Sequence, residues 1–193
     1  IRELFEQELG WTHGFQFVCL AFQNSMAAHI DGFTIHHWSG TPVKDAEGTS
    51  TTRDNDKLST RCQSLRFIIL DEISMVSAQL LGQLELIVSQ RVRQGNENGL
   101  QSIVKSRPFG GINVLLSGDW WQMKPVGGMP LFANPIEAPK GFATHGMQLL
   151  WGYPTKGAVK HCWNFTQSMR CSDPWYNAFL QQCRDGTLCE TMY

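Results

Sequence analysis

Asp71 and Glu72 stand side by side at the end of an apolar run, Phe67-Ile68-Ile69-Leu70, and Ile-Ser-Met-Val follows them. An aspartate at the end of a buried strand can hold Mg2+, usually through its water shell, while an adjacent glutamate can orient and polarise a water attacking a terminal phosphate. The pair suits a nucleotide hydrolase. A second reading is open on these two residues alone: Asp71 caps the helix that follows, and Glu72 is solvated. Two further polar groups follow comparable runs. Gly118-Asp119 with Gln122 comes after INVLLS (112–117), and Gln23-Asn24-Ser25 comes after FVCLAF (17–22). The Gln122 amide can donate to a phosphate oxygen and accept from water.

Polar groups at strand ends do chemistry together only if the strands run parallel, because ligand sites in open parallel sheets lie beyond the carboxyl ends. The elements fit that requirement. Residues 15–22, 67–70 and 112–117 are nearly continuous apolar runs, the pattern of strands covered on both faces. Residues 77–92 carry Leu80, Leu81, Leu84, Ile87 and Val88 on one helical stripe. Residues 23–30 read as a turn and short helix, and Leu4, Phe5 and Leu9 place a helix before Gly10. The alternation of Val159, His161, Trp163 and Phe165 predicts a further strand over 157–165. Asp173-Pro174 opens a helix that packs through Trp175, Tyr176, Phe179, Leu180 and Cys183 and ends near Gly186. Polar residues 42–60 form a loop or insertion, 95–111 a loop, and 125–146 an irregular stretch rich in Gly and Pro. Strands separated by helices give an α/β domain with a mostly parallel central sheet flanked by helices.

Composition narrows the function classes. A chain of 193 residues with 42% hydrophobic and 17% charged residues and a formal net charge of -1 has no global basic field, so nucleic acid must be met by local patches. Arg91, Arg93, Lys105 and Arg107 against Glu97 form one such patch, or else a solvated face. The six cysteines include no CxxC pair and no zinc-finger spacing with histidine. They read as reduced thiols in an intracellular protein. No apolar run approaches the roughly 18 residues of a membrane span, and no membrane partner is expected.

The motifs in chain order resemble the Pif/RecD group of superfamily-one DNA helicases, including the helicase domains of Helitron-type transposons. The matching residues are DEISM at 71–75, Pro108-Phe109-Gly110-Gly111-Ile112, and GDWWQMKPV at 118–126. Asp31 to His36 is similar to the family's G-x-T-I-H segment. Gln167 to Arg170, Asp173-Pro174 and Arg184-Asp185-Gly186 are similar to its segment downstream. The resemblance implies a RecA-like P-loop NTPase fold, ATP and Mg2+ as ligands, and translocation on single-stranded DNA with 5′-to-3′ polarity, with single-stranded or forked DNA as partner. It further implies that Asp71 serves Mg2+, Glu72 the attacking water and Gln122 the γ-phosphate. By the same resemblance Arg170 acts as an arginine finger, and Thr34 and His36 face the DNA. Roles in repair, recombination and telomere maintenance follow by the same resemblance, in nucleus or mitochondrion for a eukaryotic protein and in cytoplasm otherwise. For Arg170 a surface cation beside Asp173 stays open, and for His36 a packed histidine. Trp120 and Trp121, directly after a strand, read as core in preference to a base-stacking platform.

The sequence also departs from the family. A phosphate-cradling G-x-x-x-x-G-K-[ST] loop does not occur in the 193 residues. We therefore expect a first motor domain truncated at both ends over 1–165, followed over 166–193 by the start of a connection to a second motor domain. Such a chain by itself should neither hydrolyse ATP well nor unwind DNA. Ala21-Phe22-Gln23-Asn24-Ser25-Met26 replaces an Ala-Pro-Thr-Gly turn, and Lys124 replaces a proline.

Overall fold

The computed structural model describes residues 1–41, 55–95, 107–152 and 159–189. The chain divides into two compact units, Ile1–Val159 and Lys160–Tyr193. The first holds a four-stranded sheet, with β1 (Phe17–Ala21), β2 (Phe33–Thr34), β3 (Phe67–Leu70) and β4 (Asn113–Leu116) in the order β2-β1-β3-β4. Every pairing is parallel, with Ala21 beside Thr34, Leu20 beside Leu70, and Leu70 beside Leu116. All four strands therefore end on one edge.

The two faces of this sheet are covered unequally. Val18, Leu20, Ile68 and Leu70 point into a large core with Ile35, Trp38, Leu81, Leu84 and Val88. Phe17 and Cys19 point the other way into a small cluster with Phe5, flanked by Trp11, Phe67 and Ile69. Among the described strands only β1 is buried at every position; β4, expected to be buried on both faces, has no fully buried residue and is the last strand of the sheet that the described residues form. Phe5 reaches its cluster from a π-helical turn, Leu4–Glu8, closed by the Leu9 N–H on the Leu4 carbonyl at 3.2 Å. Its wider winding leaves Leu4 and Leu9 exposed.

Helices α1 (Asn24–His29) and α2 (Ile35–Ser39) follow β1 and β2, and α3 (Asn55–Ser64) precedes β3. Residues 55–60 are thus helical instead of loop; the rest of the expected loop lies outside the described residues. Helix α4 (Ala78–Gly95) buries Leu80, Leu81, Leu84, Val88 and Val92, the expected stripe carried one turn further. It crosses α5 (Phe142–Trp151) where Gly82 and Gly146 let the backbones meet. A Cβ on either would collide with a carbonyl of the facing helix. The stretch expected to be irregular therefore enters a helix at Phe142: it has the apolar face that α4 needs to cover.

Of the strand expected over 157–165, residues 157 and 158 lie outside the described residues and 159–165 form no strand; Trp163 and Phe165 in the second unit are 72% and 94% exposed. Alternation alone does not make a strand without a neighbour to pair with. Helix α6 (Pro174–Asp185) starts as the sequence implies: the Asp173 carboxylate accepts from the Trp175 and Tyr176 amides at 2.9 and 3.3 Å. Gly186 ends it in the left-handed conformation at φ 67°. Trp175, Tyr176 and Leu180, expected to pack, are exposed.

Candidate functional site

Ser117 joins the ends of β3 and β4. Its N–H donates to the Leu70 carbonyl at 2.9 Å, and its carbonyl accepts from Ile73 N–H at 2.9 Å. Its hydroxyl donates to Asp71 Oδ1 at 2.5 Å. Asp71 is in turn fixed by its own N–H, which donates to the Leu20 carbonyl at 2.8 Å. The carboxylate is thereby held at the junction of three strands. Sequence reasoning did not single out Ser117, although a hydroxyl at the residue after β4 was the available signal.

The chain turns sharply here. Glu72 adopts φ 52°, ψ 49°, a left-handed conformation uncommon for a residue with a side chain, and a short helical turn, Ile73–Met75, follows. Gly118 makes room for the turn: at φ 154°, a Cβ there would meet the Ile73 nitrogen at 2.8 Å. The capping alternative for Asp71 does not hold. Ser77 caps α4, its Oγ accepting from Leu80 N–H at 3.2 Å, while the Asp71 carboxylate is engaged by Ser117. Both acids are half-buried.

Beyond β4, Asp119 organises the next turn. Its Oδ1 accepts from Trp121 N–H and its carbonyl from Gln122 N–H, each at 3.1 Å. Gln122 is exposed at this edge, as is Lys124. Trp120 touches Phe132 and Trp151 at ring distances of 5.9 and 6.3 Å but remains 37% exposed, and Trp121 is 76% exposed. Neither is core, because the asparagine-like turn at Asp119 rotates the chain off the sheet face.

At the other side of the edge, Thr34 closes β2 and caps α2, its Oγ1 accepting from His37 N–H at 3.2 Å. Its hydroxyl proton stays available to a phosphate oxygen. His36 lies edge-on to Phe22 at 5.8 Å, and burial lowers its pKa. Asp71, Glu72, Gln122, Thr34 and His36 thus share the carboxyl edge of one sheet. Arg170 belongs to the second unit, where it is exposed.

The profile of the PIF1-like helicase family matches residues 18–137, more than half of the 193 residues. The chain belongs to the PIF1-like helicase family. Its relatives include the ATP-dependent DNA helicase Pif1 of Psychrobacter sp. (strain PRwf-1), 38% identical over 107 residues, which are 52% of this chain and 14% of that protein. Human ATP-dependent DNA helicase PIF1 is 34% identical over 114 residues, 56% of this chain and 16% of that protein. The chain thus spans a small part of these relatives. Among solved structures, a Bacteroides Pif1 helicase in complex with ADP-AlF3 and ssDNA superposes with a TM-score of 0.66 at 19% identity, covering 97% of this chain and 41% of that one. The fold is the RecA-like α/β fold of Pif1 helicases. The PIF1-like match includes Thr34, His36, Asp71, Glu72 and Gln122, and Arg170 lies beyond it.

Among the described residues no cluster of three or more His, Cys, Asp or Glu could enclose a metal. Mg2+ bound with a nucleotide takes one or two carboxylates and fills its octahedron with phosphate oxygens and water. Asp71 has the right chemistry, since Ser117 fixes Oδ1 and Oδ2 has no partner among the described residues. No helix of the described residues is long and apolar enough to cross a membrane.

Proposed function

We propose that this chain contributes the nucleotide-hydrolysing edge of an ATP-dependent DNA helicase motor, which couples ATP hydrolysis to 5′-to-3′ movement on single-stranded DNA and unwinding of forked duplex. The observation that carries the reading is the junction of Asp71, Glu72 and Ser117 at the ends of β3 and β4, with Gln122 one turn beyond. Relatives named as ATP-dependent DNA helicases support the ATP dependence and the DNA substrate.

In this reading Asp71 holds Mg2+, and Ser117 keeps its carboxylate from rotating. Mg2+ held there would supply positive charge against the phosphate oxygens of the nucleotide. Glu72 accepts a hydrogen bond from the attacking water and aims it at the γ-phosphate, from a turn at φ 52° just past the end of β3. Gln122 donates to a γ-phosphate oxygen and accepts from the same water, so loss of that phosphate changes its partners. Arg170 adds positive charge to the transition state from a separate element. Thr34 donates to a DNA phosphate, with His36 beside it.

Glu72→Gln tests the core of the reading in the full-length protein. The variant keeps its size but loses the anionic acceptor, so ATP and single-stranded DNA should bind as in wild type while turnover falls about 100-fold or more. Wild-type turnover would refute the role of Glu72. A second reading, a nucleic-acid-binding module without turnover, is favoured by the lack of a G-x-x-x-x-G-K-[ST] loop in these 193 residues. It requires DNA binding that ATP leaves unchanged.

A further inference from the structure

A row of rings that the assigned residues do not use leads from His13, beside Phe17 and Cys19 of β1, toward the carboxyl edge. His13, Phe33 and His37 form a column of nearly parallel rings. His13 and Phe33 have centroids 5.4 Å apart with planes at 9°, and Phe33 and His37 are 6.1 Å apart at 21°. The base of the column is fixed, because His13 Nε2 accepts from the Cys19 N–H of β1 at 3.0 Å. Burial lowers the His13 pKa and so favours the neutral ring that this acceptor role requires. Exposure rises along the column, from half-buried His13 and Phe33 to exposed His37. The backbone of His37 is held as well, by its N–H on Thr34 Oγ1 at 3.2 Å.

We propose that His37 is a stacking platform for a nucleobase of the single strand, with the adjacent Thr34 hydroxyl on that nucleotide's phosphate. The inference rests on the DNA-binding reading of this edge. A ring already seated on Phe33 loses little further freedom when a base stacks on it, which is the condition for a net gain. Stacking also needs no particular base, as translocation along arbitrary sequence demands. Other rings at the edge are less suited. His36 meets Phe22 edge-on and is half-buried. Trp121 is more exposed, but among the described residues no ring supports it.

The test compares binding of the full-length protein to a fluorescent oligo-dT and to an abasic oligonucleotide of the same length, by anisotropy at one ionic strength. His37→Ala should weaken oligo-dT binding about fivefold, the low end for loss of one base–aromatic stack. It should leave abasic binding unchanged, and His37→Phe should restore oligo-dT binding. Where alanine lowers the melting temperature, His37→Gln replaces it and should behave as alanine does. Unchanged oligo-dT binding in the alanine variant overturns the inference, as does equal weakening on the abasic strand, which marks a phosphate contact. Failure of His37→Phe to restore binding also overturns it. A wild-type protein that does not bind oligo-dT sinks the DNA-binding reading itself, and the inference with it.

Discussion

Glu85 gives the sharpest quantitative expectation, because a buried carboxylate with three partners has a calculable cost of removal. It sits on α4 at 5% exposure. Its Oε1 accepts from Phe109 N–H at 3.0 Å and from Ser89 Oγ at 2.6 Å, and its Oε2 is 2.6 Å from His145 Nε2. In Glu85→Ala the buried Phe109 amide has no acceptor, at about 1–3 kcal/mol, and the hydrogen bonds to Ser89 and His145 go as well at about 1 kcal/mol each, so the gross cost is about 3–5 kcal/mol. Two partners recover part of that. The Ser89 hydroxyl can turn to a carbonyl one helical turn back, and the His145 side chain, 34% exposed, can take water. A net loss of about 3 kcal/mol results. Glu85→Gln keeps an oxygen for Phe109 and Ser89 and loses only charge assistance, so it should stay within about 1 kcal/mol of wild type. With a urea m-value of about 2 kcal/mol/M, the midpoints should fall by about 1.5 M for alanine and at most about 0.5 M for glutamine. An alanine shift below about 0.5 M, or equal shifts for both variants, would refute the reasoning.

Two other expectations follow. Arg170→Ala should lose most ATP turnover in the full-length protein while nucleotide affinity persists; undiminished turnover would return Arg170 to a surface cation. His13 predicts a pH dependence: burial first, then the charge of Arg2, lowers its folded pKa below 6.5, against smaller raising effects of Glu6 and Asp31. The unfolded chain therefore takes up the proton first, so the contribution of His13 is complete above about pH 6.5 and is lost as pH falls through the lower folded value. His36 has the same sign, from burial alone. Urea midpoints should decrease from pH 7.5 to 5, and His13→Gln should show a shallower decrease; parallel profiles would remove His13 as a cause.

The site was legible where one local pattern decides the outcome. An apolar run followed by Asp71-Glu72 places both acids at a strand end whatever the rest of the chain does, and Asp173-Pro174 caps its helix through bonds only two and three residues long. What sequence could not supply depends on partners remote in the chain. The left-handed Glu72 relies on the space left by Gly118, 46 positions later. The helix from Phe142 forms inside a Gly- and Pro-rich stretch because Gly146 fits against α4. Residues 159–165 alternate as a strand would and form no strand among the described residues. Glu85 did leave a trace, as a charge between Leu84 and Val88 on an otherwise apolar stripe, which a solvated surface residue would not occupy.

Strand β4 connects these observations. It is the least buried strand of the sheet, yet it carries the turn that presents Gln122. Apolar packing alone holds it weakly, and a carboxylate anchors each end instead. Glu85 binds the Phe109 amide in the turn that leads into it, where Phe109 and Gly110 take φ of 54° and 62°. Asp71 binds the Ser117 hydroxyl directly after it. Register follows from these two anchors, since a one-residue slip would break both and would move Val114 and Leu116 off the core. The two anchoring bonds come from Glu85 and Asp71. Replacing Glu72 by glutamine should therefore stop turnover with both anchors intact, whereas Glu85→Ala should lower the urea midpoint through an anchor that touches no substrate.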